Sequence, residues 1–92
     1  MKIKNSCQLC GALGNDIRFK IIGYLASGEK CVCDIFKKFN LPQNLASHHL
    51  GVLKASGFIA DRKDGKWVYY SLNERALRKL KKALESILRA KK

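Results

Sequence analysis

Four cysteines are the residues of this 92-residue chain with the most distinctive chemistry. They form two closely spaced pairs, Cys7 with Cys10 and Cys31 with Cys33. The chain opens without the apolar segment of a secretory signal, so we expect a cytoplasmic, reducing location in which paired thiols bind metal or sense redox state. Thiolates favour soft ions, namely Cd(II), Pb(II) and As(III), or Zn(II) where four sulfurs meet.

The spacing within each pair predicts how an ion acts on the backbone. Side chains at i and i+2 of a regular helix point ~200° apart, so one ion held by Cys31 and Cys33 fixes a non-helical conformation there. Cys7 and Cys10, at i and i+3, can share a helical face. Two other interpretations stay open: the thiols are small buried apolar groups, or they are oxidised or persulfidated as sensors.

The elements that position these residues are mainly helical, with one β-hairpin. Apolar residues at helical spacing predict helices at 7–13, 15–27, 31–39, 42–55 and 74–90. Alternating and branched residues predict strands at 58–62 and 67–72, joined by a turn at 63–66 that contains an Asp-Gly pair. Asn15 is expected to cap the second helix and Gly57 to end the fourth, while residues 1–6 are expected to be a mobile arm.

The charge of the chain favours a polyanionic partner. Nineteen Lys and Arg stand against seven Asp and Glu, a formal net charge of +12, and nucleic acid is the usual polyanion. Two short helices followed by a hairpin form a winged helix-turn-helix, whose second helix enters the DNA major groove. The candidate DNA-binding residues are polar or basic side chains of that helix and the hairpin: Gln43, Asn44, Ser47, His48, Lys54, Lys63 and Lys66. The alternative is an amphipathic helix with a merely solvated face.

The last helix carries a narrow apolar seam. Leu77, Leu80, Leu84 and Ile87 step by three, four and three residues, which favours packing against a second copy of the chain. We therefore predict a homodimer of one domain, residues 1–92, with the first cysteine pair in 1–14 and the dimerisation helix in 73–92. No stretch approaches the roughly 20 apolar residues that cross a bilayer, so we expect no membrane partner.

Three segments carry a resemblance to a known family. GEKCVCDI (28–35), LPQNLASHHLGVLKASGFI (41–59) and DGKWVYYSL (64–72) resemble, in order and spacing, the ArsR/SmtB family of metal-responsive repressors. The resemblance implies a symmetric dimer whose first and last helices pair. It also implies binding to an inverted-repeat operator and release of that operator when a ligand binds.

The resemblance further implies a ligand set. Cys31 and Cys33 match the two ligands that the C-V-C-D segment supplies in arsenic- and cadmium/lead-sensing members, whereas Phe36 stands where some arsenic sensors have a third cysteine. Cadmium/lead sensors recruit N-terminal cysteines, often from the partner subunit, and Cys7 and Cys10 can take that role. Residues 73–92 contain no His, Asp or Cys, which excludes the zinc- and nickel-type site of the last helix.

Together these features predict a repressor that binds operator DNA and dissociates when its thiolates bind arsenite, cadmium or lead. The alternatives are a redox- or persulfide-sensing repressor of the same fold and a constitutive DNA-binding protein without a ligand. An enzyme is not expected, because His48 and His49 point different ways on a helix and no Ser-His-Asp order, paired carboxylates or phosphate-binding glycine loop is present.

Overall fold

The computed structural model describes residues 3–90, which form five helices and a small antiparallel sheet. The helices are α1 (Ser6–Leu13), α2 (Asp16–Leu25), α3 (Val32–Phe39), α4 (Gln43–Ser56) and α5 (Glu74–Ala90). The strands are β1 (Lys30–Cys31), β2 (Ile59–Asp64) and β3 (Trp67–Leu72), with β3 between the other two. The expected mainly helical architecture with a β-hairpin is confirmed.

Polar caps and a left-handed glycine fix the helix ends. The Asn5 side chain accepts a hydrogen bond from the Gln8 backbone amide at 2.9 Å, and the Gln8 side-chain carbonyl accepts one from the Asn5 backbone amide at 3.2 Å. Asn15 likewise caps α2, as its position in the sequence predicts. Gly57, at φ 94°, ends α4 in the left-handed conformation that suits glycine. These local signals set where α1, α2 and α4 begin or end.

The core lies where α4 meets α1, α2 and the sheet. Its largest fully buried side chains come from four helices, β2 and the residue that precedes β2: Leu9, Ile21, Leu25, Ile35, Leu50, Leu53, Phe58 and Ile59. Helix α5 adds Ala76 and Leu80. Burial of each large apolar side chain contributes about 1.5–3 kcal/mol, so this cluster fixes the orientation of α4 relative to the rest of the fold.

The start of the chain corrects one expectation. Residues 1–2 of the predicted mobile arm lie outside the described residues, but the rest of it is anchored. Ile3 packs against the core, and the Lys4 amide donates to the Ser56 carbonyl at 3.0 Å. The Ile3 side chain and the Lys4 backbone amide thus dock this segment on the core and on the end of α4.

The helix predicted at 31–39 begins one residue late, because Cys31 belongs to a strand. Lys30 and Cys31 pair with Tyr70 and Tyr69 of β3 and add a third strand to the hairpin. Backbone pairing with β3 takes precedence over helix formation here. The hairpin turn is also shorter than predicted, because Lys63 and Asp64 continue β2 and leave Gly65 and Lys66 as the two turn residues.

Within residues 3–90, no helix combines the length and apolar character needed to cross a membrane.

Candidate DNA interface and thiol site

Helices α3 and α4 form a helix-turn-helix with one polar face open to solvent. Asn40 ends α3 at φ 49°, a left-handed conformation that turns the chain sharply before α4. On α4, the inner face is buried through Ala46, His49, Leu50 and Leu53. The predicted reading residues all lie on the exposed outer face: Gln43, Asn44, Ser47 and His48. Their amide, hydroxyl and imidazole groups suit contacts with base edges.

The hairpin carries two of the three predicted lysines at its tip. Lys63 and Lys66 are exposed, and the Lys66 ammonium lies 5.6 Å from the centroid of the Trp67 ring. Trp67 is itself 45% exposed, so the tip presents a basic and aromatic surface. Such a surface suits contact with a DNA backbone or minor groove.

Lys54 is engaged elsewhere. Its ammonium donates to Asp61 of β2 at 2.9 Å, and this hydrogen bond with the carboxylate raises the pKa of Lys54. The ion pair joins α4, the candidate recognition helix, to the base of the β2–β3 hairpin, which is the candidate wing. Lys54 is therefore held in an ion pair within the chain, whereas Lys63 and Lys66 are exposed at the hairpin tip.

Arg18 of α2, which the sequence analysis did not single out, contacts the buried face of α4 at His49. The Nε of Arg18 donates to the Ala12 carbonyl at 2.6 Å, and its Nη1 lies 3.4 Å from the Nδ1 of His49. Because a guanidinium only donates, Nδ1 accepts and the ring proton lies on Nε2. Burial lowers the pKa of His49, with the charges of Arg18 and His48 adding to the effect. His49 is the buried histidine that the helical pattern predicts.

Cys31 and Cys33 lie on either side of the junction between β1 and α3. Both side chains are half-buried, and the hydrogen bond with Cys31 is the main cause of a raised pKa at the Cys33 thiol. The backbone at Cys31 is extended, at φ −68° and ψ 147°, whereas Cys33 lies in the first turn of α3. The two residues therefore differ in backbone conformation, so the divergence of ~200° expected for i and i+2 of a regular helix does not apply to them.

The second cysteine pair does not join the first. Cys7 and Cys10 are exposed on α1, a helix that packs against α2, α4 and α5. Across residues 3–90, no three or more His, Cys, Asp or Glu side chains gather into a group able to hold a metal ion. Within residues 3–90, Cys7 and Cys10 on α1 and Cys31 and Cys33 at the β1–α3 junction are therefore two separate pairs of thiols.

An apolar groove runs along α5. Leu84, Ile87 and Leu88 are 50, 68 and 71% exposed, and Phe19 of α2 is 65% exposed beside them. The groove is lined by apolar side chains from three elements or their ends together with Lys81 and Glu85, the apolar members being Leu13, Phe19, Leu77, Leu80, Leu84 and Leu88. Leu77, Leu80 and Leu84 of the predicted seam line the groove, whereas Ile87 of the seam is exposed outside it. Leu88 and Phe19 line the groove but were not part of the predicted seam.

A helix-turn-helix followed by a basic β-hairpin defines a winged helix-turn-helix DNA-binding protein. The chain belongs to the arsR family of bacterial regulatory proteins, whose family model matches residues 15–61. This confirms the resemblance carried by the three sequence segments. The family consists of transcriptional regulators, so the expectation that the protein is not an enzyme is also confirmed.

Characterised relatives and a solved structure agree with this assignment. The chain is 42% identical to the arsenical resistance operon repressor of Escherichia coli over 72% of this chain and 57% of that protein. It is 44% identical to the cadmium resistance transcriptional regulatory protein CadC homolog of Staphylococcus aureus, over 75% and 58% respectively. It thus spans less than two thirds of either relative. A crystal structure of a possible transcriptional regulator for arsenical resistance superposes with a TM-score of 0.80 at 29% identity, covering 87% of this chain and 83% of that one.

Proposed function

We propose that the protein is a metal(loid)-responsive repressor that binds operator DNA as a homodimer and releases it when Cys31 and Cys33 bind a soft ion. The observation that carries this proposal is the placement of two half-buried thiols at the start of the first helix of the helix-turn-helix, Cys31 in extended backbone just before α3 and Cys33 in its first turn. Arsenite, Cd(II) and Pb(II) are the candidate inducers, with Zn(II) as a further candidate, because thiolates prefer such ions. The names of the two bacterial relatives point to the same group of ions.

The ion acts on DNA binding through α3. When an ion binds, both thiols release their protons to solvent and the two thiolate sulfurs are drawn together around the ion. Cys33 is in the first turn of α3, and α3 packs against the recognition helix α4 through the buried side chain of Ile35. A shift of α3 therefore changes the angle at which α4 is presented to the major groove.

Two sulfurs leave a soft ion with open coordination positions. Cys7 and Cys10 of the same chain are on α1, which packs on other elements than the β1–α3 junction. We propose that these two thiols serve as further ligands from the partner subunit, as the resemblance implies. Arsenic(III), which takes three sulfurs, then leaves one of the four unused.

The DNA-binding surface combines the outer face of α4 with the wing. Gln43, Asn44, Ser47 and His48 read base edges in the major groove, which their exposure on α4 supports. Lys63 and Lys66 contact phosphates, and Lys54 adds to these contacts when its pair with Asp61 opens. The net charge of +12 supports this electrostatic contribution.

A second copy of the chain covers the apolar groove on α5. Three large apolar side chains of this helix and Phe19 are exposed to solvent in one chain, which is unfavourable unless another surface buries them. A symmetric dimer places two recognition helices on the two halves of an inverted-repeat operator. Such a repressor acts on DNA in the cytoplasm, as one domain over residues 1–92 that includes the cysteine-bearing segment 1–14 and the dimerisation helix 73–92.

Fluorescence anisotropy with a selected duplex tests the proposal. The fully reduced protein is titrated onto the DNA in the presence of As(III), Cd(II), Pb(II) or Zn(II), and the titration is repeated with Cys31→Ser, Cys33→Ser and the double variant Cys7→Ser/Cys10→Ser. Release by one soft ion that is lost in both Cys31→Ser and Cys33→Ser supports the sensor and names its inducer. Loss of release in the double variant assigns ligands to α1.

The same titration separates the alternatives. Tight, sequence-specific binding that no ion weakens overturns the metal hypothesis, and release by peroxide or persulfide then identifies a redox sensor. Binding without sequence preference that no ion, oxidant or persulfide weakens identifies a constitutive DNA-binding protein.

A further inference from the structure

The thiol pair and the wing lie on one continuous row of the sheet. Cys31 of β1 is paired with Tyr69 of β3, and Tyr69 is paired with Arg62 of β2. The residue after Arg62 is Lys63, the first of the two basic residues near the hairpin tip. A thiol of the candidate sensor is thus two strands away from the start of the DNA-contacting end of the wing.

An ion pair spans this row from one edge strand to the other. The Nη2 and Nε atoms of Arg62 donate to the two carboxylate oxygens of Glu29 at 2.7 and 3.1 Å. The guanidinium also lies over Tyr69, with Cζ 4.7 Å from the ring centroid. The Arg62 side chain therefore crosses over the central strand β3 and binds Glu29, the residue immediately before β1. A two-point contact of this kind fixes orientation as well as distance.

Little else holds β1 to the hairpin. The strand has two residues, and its register comprises the pairs of Lys30 with Tyr70 and Cys31 with Tyr69. The sulfur that would bind an ion is therefore in a strand whose attachment to the wing depends on two residue pairs and on the Glu29–Arg62 fork. A movement of Cys31 can therefore reach the hairpin through the two strand pairs or through the contact of Glu29 with Arg62.

We propose that Arg62 is a positioning residue that couples the thiol pair to the wing through its two-point contact with Glu29. This inference rests on the proposed function and adds a second route to it, because the first route passes through α3 to the recognition helix. When an ion draws Cys31 towards Cys33, the end of β1 moves, Glu29 moves with it, and the fork pulls on β2 one residue before Lys63. The wing tip is then displaced from the position in which it contacts DNA.

Two neutralising variants test the coupling against matched controls. Glu29→Gln and Arg62→Gln each remove one charge of the fork, while Glu74→Gln and Arg78→Gln remove the same charges from an exposed i,i+4 pair on α5, outside the sheet. For each full-length variant, the DNA Kd is measured with and without Cd(II), and Cd(II) affinity is measured separately by thiolate-to-cadmium absorption. The release factor is the DNA Kd measured with Cd(II) divided by the DNA Kd measured without it.

We expect Glu29→Gln to bind Cd(II) with nearly wild-type affinity and to lose about tenfold in release factor, within the 5–150-fold range of typical coupling between sites. The two α5 controls keep the wild-type factor. The exchanged variant Glu29→Arg/Arg62→Glu restores most of it, because the contact is re-formed with reversed polarity. If Arg62 only contacts phosphate, Arg62→Gln weakens DNA binding equally with and without Cd(II) and Glu29→Gln keeps the wild-type release factor, which overturns the inference.

Amide hydrogen exchange of the DNA-free protein keeps the inference testable if the proposed function fails. Adding Cd(II) to wild type and to Glu74→Gln is expected to change protection at residues 62–67, and this change is expected to be absent in Glu29→Gln. The same change in Glu29→Gln refutes the coupling. A wild-type protein that shows the exchange change but is not released from DNA by any ion refutes the proposed function alone.

Discussion

At the scale of single residues, His49 shows how the fold alters the chemistry of one side chain. It lies on the buried face of α4, 5% exposed, with its Nδ1 facing the guanidinium of Arg18. A positive charge on this ring is unfavourable both because it is buried and because Arg18 is next to it. The exposed neighbour, His48, lies about 100° further round the same helix, so the two adjacent histidines have different environments.

The lowered pKa of His49 gives the folding stability a defined dependence on pH. In the unfolded chain the imidazole titrates near its ordinary value of 6.5, whereas in the folded chain it holds a proton only at lower pH. The stabilisation is therefore complete above about 6.5 and is lost as the pH falls through the folded pKa. We expect urea unfolding between about pH 8 and pH 5 to show this loss in wild type and a shallower slope in His49→Gln. An unchanged slope in His49→Gln would contradict the assignment.

The reading residues and the wing lysines are expected to differ in how their loss depends on salt and on DNA sequence. Asn44→Ala removes a base-reading amide and should cost about 1–3 kcal/mol on the operator alone. Lys66→Ala removes a phosphate contact, so it should weaken binding to operator and scrambled duplex alike and reduce the slope of log K against log salt by about one. Anisotropy titrations on both duplexes at several salt concentrations distinguish the two. A variant that loses affinity without either signature is not a direct DNA contact.

At the scale of elements, the end of α4 depends on a residue without a side chain. Gly57 has φ 94°, and an alanine there is expected to lower the free energy of unfolding by about 1–2 kcal/mol. Gly51 is the matched control, because it lies inside the same helix and a new Cβ there meets nothing within 4 Å. Gly51→Ala should raise the stability by about 0.5–1 kcal/mol. Urea denaturation measures both, and equal effects would argue against the left-handed cap.

The sequence predicts the elements whose signals are local and misses those that depend on distant partners. Asn15, Gly57 and the Asp-Gly turn act within a few residues, so the ends of α2 and α4 and the hairpin were predictable to within one or two residues. Strand β1 has only two residues and exists because β3 offers it hydrogen bonds from nearly forty positions away. No periodicity can reveal a strand so short.

The candidate site divides in the same way. The exposed face of α4 follows from helical spacing alone, and so do the buried positions of Ala46, His49 and Leu50. The ion pairs of Glu29 with Arg62 and of Lys54 with Asp61 follow from the folding of the hairpin onto its neighbours. Charged residues scattered along a basic chain give no sequence signal of which partners they will meet.

At the scale of the whole molecule, the apolar groove on α5 predicts the oligomeric state. Leu84→Glu places a charge in the centre of the groove and is expected to convert a dimer into a monomer in analytical ultracentrifugation, with a loss of affinity for an inverted-repeat operator. Ser86→Glu is the matched control, since it adds the same charge to an exposed position of α5 that does not line the groove. A monomeric wild type, or dissociation of both variants, would refute the groove as the dimer surface.

The thiol pair and the polar face of α4 have no residue in common, and this separation has a consequence for how such proteins diversify. Cys31 and Cys33 are at the β1–α3 junction, whereas the candidate base-reading residues begin at Gln43, and the buried face of α3 lies between the two sets. Under the proposed function, substitutions on α4 are expected to change the operator while the chemistry of the inducer stays as it is, and the reverse is also expected. A duplicated copy with a few substitutions on the exposed face of α4 is then expected to answer the same ion at a different operator.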